Sequence, residues 1–133
     1  MFQKDPKKLI DFAHNFRSFA NAQNWIPRYD KDTDSLAIIP HKLSSDARIR
    51  YIDDELAFYL RANGDIEGLF IEYFKNNFIK HHRTKKFQKF NQAITKKEQS
   101  SKKDESLLEL SKFNLKQVLP ELEQLVQKAV VRD

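Results

Sequence analysis

The sequence predicts an α+β fold: a small antiparallel β-meander of four to five strands, flanked by an N-terminal helix and two to three C-terminal helices. Three observations lead there. At both ends of the chain apolar residues recur every three or four positions, the period of a helix with one buried face. Between residues 25 and 74 that period gives way to short apolar runs separated by turn residues, as in strands. Within this stretch stands Asn63-Gly64, a dipeptide suited to the left-handed conformations of a two-residue hairpin loop, so the strands it joins run antiparallel. A length of 133 residues fits one domain, divided into a helix over 5–23, the meander over 25–74, a basic helical segment and loop over 80–103, and helices over 104–131.

Asp5 is placed to cap the first helix and Pro6 to open it, because Asp accepts from free first-turn amides and Pro needs no donor there. Leu9, Phe12, Ala13, Phe16, Phe19 and Ala20 then form its apolar stripe. The expected strands are Trp25–Tyr29, Leu36–Ile39, Ile49–Ile52, Leu56–Leu60 and Ile66–Tyr73. Alternation is incomplete in the last two, which suits a sheet with helices packed on it. Gly68, inside the last run, marks a bulge or a close backbone approach that re-aims the strand. Further on, Phe87, Phe90 and Ile94 fall at i, i+3 and i+7 as a narrow helical stripe. The run KKEQSSKKDES from Lys96 to Ser106 interrupts this pattern and reads as an exposed loop. Asp104 then caps a helical segment carrying Leu107, Leu108 and Leu110. Leu115, Val118, Leu119, Leu122, Leu125, Val126 and Ala129 continue a helical face, with Pro120 inside it imposing a kink or a fresh start.

Missing residue types narrow the chemistry. The absence of cysteine excludes disulfides, thiolate nucleophiles and thiolate metal sites, and suits the cytoplasm. With only Gly64 and Gly68 there is no Gly-rich phosphate loop, and no cofactor is expected. No apolar run approaches the length of a bilayer span, and MFQKDPKKLIDF lacks the apolar core of a signal peptide, so no membrane partner is expected. Eleven phenylalanines point to a core built on aromatic packing.

The stretch from Tyr29 to Glu72 carries a pattern. Tyr29, Asp30, Asp34 and Leu36 make a Tyr-Asp opening with an acidic residue before a short strand; Gly64, Ile66, Gly68, Ile71 and Glu72 close it, with Leu69 and Phe70 inserted before the final Ile-Glu. Over residues 28–74 this resembles a group of short bacterial proteins catalogued as a domain of unknown function. The resemblance implies a four-stranded β-meander and no assigned activity. Because some members are encoded near toxin–antitoxin modules, it also hints at regulation.

Charge is concentrated in one place. Residues 1–79 hold 11 Lys/Arg against 12 Asp/Glu, residues 80–103 hold 9 against 1, and residues 104–133 hold 4 against 6. The whole positive balance therefore lies in residues 80–103. Lys80, Arg83, Lys85, Lys86, Lys89, Lys96 and Lys97, with Lys102 and Lys103 beyond, are candidates for neutralising the phosphates of a nucleic acid or the carboxylates of an acidic protein. Phe87 and Phe90 either stack on unpaired bases or pack inward, and their helical spacing favours the inward position.

Other groupings carry less. Asp30, Asp32 and Asp34 open like a calcium loop, but Ser35 and His41 stand where it needs Gly and Glu, so a solvated turn is the better reading. His81 and His82 are adjacent; neighbouring helical side chains point about 100° apart, which keeps the pair from sharing one metal. Asp53, Asp54, Glu55, Asp65, Glu67 and Glu72 are numerous enough for acid–base or Mg²⁺ chemistry, although charges near a hairpin usually form the solvated face of a sheet.

The leading expectation is a small non-enzymatic binding or regulatory module that contacts nucleic acid or an acidic protein through residues 80–103. One alternative is an interaction or inhibitor-type module acting through its helices, with a homodimer possible if the Leu115–Val130 face is not needed by the core. The other is a metal-dependent or acid–base enzyme using carboxylates of residues 53–72 with His81 or His82.

Overall fold

Packing of Phe12, Phe16 and Ala20 against the sheet follows from their spacing, but the helix that carries them breaks once. In the computed structural model, which describes residues 6–101 and 105–132, helix α1 (Pro6–His14) is followed by α2 (Phe16–Ala22). Between them the Asn15 side-chain amide donates to the Asp11 carbonyl at 2.8 Å, and its backbone (φ −114°, ψ 21°) leaves the helix. A polar side chain that bonds its own main chain competes with the helical ladder, so the single helix expected over 5–23 becomes two. The proposed cap Asp5 lies outside the described residues.

Five strands follow: β1 (Ile26–Asp30), β2 (Ser35–Ile39), β3 (Arg48–Tyr51), β4 (Leu56–Leu60) and β5 (Ile66–Ile71), each within two residues of the span expected. A sixth, β6 (Leu107–Glu109), joins from near the C-terminal end. All neighbours are antiparallel, in the order β3-β4-β5-β2-β1-β6. The expected meander is thus interrupted once, since β5 sits between β4 and β2. Strands β2 to β5 form a Greek key, with residues 40–47 as its long connection. Carboxylates hold that connection across the strand ends. Glu67 accepts from Ser44 N (3.0 Å) and Ser44 Oγ (2.7 Å), and Asp46 accepts from Arg61 Nε (3.2 Å) and Ala62 N (3.1 Å). The Ala62 amide and then Arg61 keep the Asp46 carboxyl below its usual range.

The β4–β5 hairpin turns at Asn63-Gly64 as expected, through a different loop. Only Gly64 has a left-handed backbone (φ 92°), and Gly64 N donates to Arg61 O at 2.9 Å while Arg61 N donates to Asp65 O at 2.9 Å. This is a turn closed by a left-handed glycine, not a two-residue loop. The bulge expected at Gly68 is present: Tyr59 faces Gly68 but Leu60 faces Ile66, leaving Glu67 as the extra residue. A Cβ on Gly68 would lie 2.7 Å from both Ile38 O and Ile39 Cγ2, so glycine is what lets β2 and Tyr59 close over this position.

One face of the sheet is the core. Tyr29, Leu36, Ile38, Phe58, Leu69 and Leu108 point to it and meet Phe12, Phe16 and Trp25 in a cluster of tilted and edge-on rings. Helix α5 (Lys112–Arg132) lies on the same side and buries Leu115, Val118, Leu119, Leu122 and Val126. The helical face considered for self-association is therefore core. Pro120 neither stops nor restarts α5; the carbonyl its missing N–H leaves free belongs to Lys116, an exposed residue that water can reach. Residues 107–110 correct the expectation of a helix. Leu108 is buried while Leu107 and Glu109 are exposed, the period-two pattern of a strand, and the segment covers the edge of β1 through Leu110 N to Pro27 O (2.9 Å) and Lys31 N to Ser106 O (2.9 Å). Asp104 is outside the described residues.

After β5 the chain makes a π-helical turn, Phe74–Phe78, which runs into the short α3 (Ile79–His81). Asp34, in the β1–β2 turn with φ 53°, caps it from a distance. Its carboxylate accepts from Lys75 N and Asn76 N at 2.9 Å each and from Tyr29 Oη at 2.5 Å, and its carbonyl accepts from Phe74 N at 2.8 Å. Asp34 is only 7% exposed, so the turn is correct but this carboxylate is buried rather than solvated. Burial, followed by the bond to Asp34, drives the Tyr29 phenol far above its ordinary pKa.

Candidate functional site

The basic segment becomes helix α4 (Lys85–Ser100), longer than expected because Lys96 to Ser100 continue it; the connection begins at Ser101. Lys102 and Lys103 fall outside the described residues. Thr84 caps the helix, its hydroxyl oxygen accepting from Phe87 N at 3.2 Å and its proton donated to Glu121. Phe87, Phe90 and Ile94 are all buried, at 2%, 3% and 0% exposure, so the inward orientation of the phenylalanines is the observed one. Phe87 meets Phe78 edge-on at 5.2 Å, and Phe90 meets Phe74 at 5.9 Å.

That stripe fixes where the cations point. At about 100° per residue, Lys85, Lys89 and Lys96 fall within about 40° of one another on the side opposite the phenylalanines, while Lys86 and Lys97 lie together on one side of that row, toward Phe90. The row runs roughly 16 Å along the helix. Together with Lys80 and Arg83 just before the helix, all seven candidate residues are exposed. None of the seven forms an ion pair within the described residues. Glu98, the one acidic residue of the stretch, is bonded to Lys75 from the π-turn, which also reaches Thr95 Oγ1 at 3.1 Å and lies over the Tyr29 ring. Like charges at i, i+4 spacing, and cations at a helix N-terminus where the dipole is already positive, both cost stability. No acidic residue stands in the first turn to offset them.

A second constellation was hidden by sequence distance. Glu55, at the β3–β4 turn, accepts from Asn77 Nδ2 (3.0 Å) on one carboxylate oxygen, which also meets His81 Nδ1 at 2.9 Å; the other oxygen meets His82 Nε2 at 2.9 Å. The adjacent histidines converge because the chain leaves the helix at His82 (φ −129°, ψ 74°), whose ring lies 4.3 Å from that of Phe78. Asp53 shapes the turn that presents Glu55, accepting from Glu55 N (2.8 Å) and Leu56 N (2.7 Å). The group opens on a cleft of about 550 Å³, also lined by Asp54, Leu125 and Lys128. The remaining candidate carboxylates do not join it: Glu67 ties down the Greek-key connection, Asp65 lies in the β4–β5 turn, and Glu72 stands beside Tyr51. Among the described residues no three His, Asp or Glu side chains are placed to hold a metal ion. No described helix is long and apolar enough to cross a membrane.

Comparison with known proteins adds no identity: no family model, no curated protein and no solved structure matches the chain.

Proposed function

We propose that the chain is a cytoplasmic, non-enzymatic binding module whose ligand is a polyanion, with the phosphate backbone of a nucleic acid first and an acidic protein second. The observation that supports this is the row of exposed, unpaired cations on α4, anchored from behind by Phe87, Phe90 and Ile94. A helix that keeps several like charges in line, with Lys85 and Lys86 in its first turn against the dipole, is arranged for an anion rather than for stability. With the phenylalanines turned inward, recognition would rest on phosphates and show little sequence preference.

Fluorescence anisotropy with labelled single- and double-stranded DNA and RNA, at low and near-physiological salt, tests the reading. The wild type should bind with a steep salt dependence. The variant Lys85→Glu, Lys86→Glu, Lys89→Glu should lose that binding, since each phosphate contact contributes a slope of about −0.9 on double-logarithmic axes. A wild type that stays unbound at low salt would remove nucleic acid from consideration.

The Glu55 cluster favours a second reading, acid–base chemistry in the cleft. A carboxylate that orients an imidazole is the supporting half of a general base, and His81, 61% exposed, could present its other nitrogen to a substrate. The lining supplies no hydroxyl or thiol, and in this reading the attacking group is a water that the His81 imidazole deprotonates. Hydrolysis of simple esters that is abolished by His81→Gln would support it; turnover unchanged in that variant would not.

A further inference from the structure

Strand β3 ends the sheet at the opposite side from β6 and pairs only with β4. In an antiparallel pair, successive residues turn their backbone groups alternately toward the partner and away from it. Ile52 N donates to Leu56 O at 2.9 Å, so Arg50 and Arg48, two and four residues earlier, are turned toward β4. Ile49 and Tyr51 therefore direct their N–H and C=O groups to the free edge. Their side chains stand on the uncovered face of the sheet, 42% and 50% exposed, while Arg48 and Arg50 project from the other face. Arg48 donates to the carbonyls of Ser45 and Ala47, which are neutral, and Arg50 has no carboxylate partner among the described residues. Exposed edges are usually blunted by charge; here two unneutralised positive charges alternate with two exposed apolar side chains along an unpaired backbone.

From this edge we infer a docking site for an extended segment of a protein partner, in which acidic and apolar residues alternate and which adds to β3 as a further strand. Main-chain bonds to Ile49 and Tyr51 would supply affinity, and side-chain alternation would supply register. Acidic residues fall opposite Arg48 and Arg50, and apolar ones opposite Ile49 and Tyr51. Acid is favoured on the arginine face alone, because Glu72 already stands beside Tyr51 on the other. A second copy of this chain fits poorly: the two fullest antiparallel registers of β3 with itself set Arg50 against Arg50, or Arg48 against Arg50.

The probe is a fluorescein-labelled octapeptide of alternating Glu and Val, read by anisotropy. Two controls accompany it, one with the same residues in two blocks and one with alternating Lys and Val. The alternating acidic peptide should bind at least about tenfold tighter than either control. Ile49→Pro, which removes one outward N–H without touching the β4 ladder, should weaken it by about tenfold or more. Arg50→Glu should transfer preference to the Lys–Val peptide, and provides the test if the proline variant does not fold. Equal binding of the alternating and block peptides would overturn the inference. So would absence of binding, or a loss confined to the Lys85, Lys86, Lys89 variant, which would place the acidic peptide on α4 and leave the edge unoccupied.

Discussion

Asp34 and Glu55 do the same mechanical job in two different media. Each carboxylate reaches from a hairpin turn to the Phe74–His81 segment, Asp34 at its start and Glu55 near its end. Asp34 is sealed in and is served by two backbone amides and a phenol. Glu55 borders a cleft and is served by an amide and two imidazoles. The sealed group is costly to disturb because water cannot replace its partners; the open one can exchange partners with solvent or a ligand. Rigidity is thus concentrated where the π-turn begins, and adaptability where it ends, beside the basic helix.

The hardest test of that contrast is Asp34→Ala, which strands one buried donor, the Tyr29 hydroxyl, and two part-buried backbone amides, and should cost about 3 kcal/mol in urea unfolding. A loss below about 1 kcal/mol would mean that the anchor is not structural. Tyr29→Phe removes one bond and should cost about 1 to 2 kcal/mol. It also has a pH signature. The Tyr29 phenol titrates far above its unfolded value of 10.0, so its contribution is complete below that pH. Above it the unfolded chain gives up the proton first, and stability falls by about 1.4 kcal/mol per pH unit for each such tyrosine. Tyr59, pushed up to about 12 by burial and then by Tyr51, adds to the same alkaline loss. Unfolding midpoints between pH 10 and 11 should therefore drop less steeply in Tyr29→Phe; identical slopes would remove Tyr29 from the account. The smallest effect belongs to Glu55→Gln, expected to cost about 1 kcal/mol or less because solvent reaches the cleft. A cost matching that of Asp34→Ala would erase the distinction between the two anchors.

Much of this was legible in the sequence wherever a local rule applied. The five strands between Ile26 and Ile71 were marked by turns, the bulge by Gly68, and the inward stripe of α4 by the spacing of Phe87, Phe90 and Ile94. What depends on distant pairing was not. Strand β6 is three residues long, too short to show a period, and exists because β1 has an edge to cover; the alternation of Leu108 and Leu110 was its only local trace. The place of β5 beside β2 is invisible locally, since a Greek key and a meander use the same strands. Glu55 lies 26 positions from His81, and their meeting depends on that topology and on the departure of His82 from the helix. For Asp34, the only cue was an acidic residue ahead of a strand, which its neighbours Asp30 and Asp32 disguised; its left-handed backbone is set by the folded turn.

The seam between β2 and β5 sets a schedule for synthesis. Strand β2 is complete at Ile39 and its partner β5 only at Ile71. At roughly 5–20 residues per second, the inner edge of β2 waits about 2 to 6 seconds for its mate to be made. During that wait the nascent hairpin β1–β2 carries two unsatisfied margins, since β6 is made later still. A chaperone that shields hairpin margins would act here, and synonymous slow codons after residue 39 would lengthen the hazard without altering the finished protein.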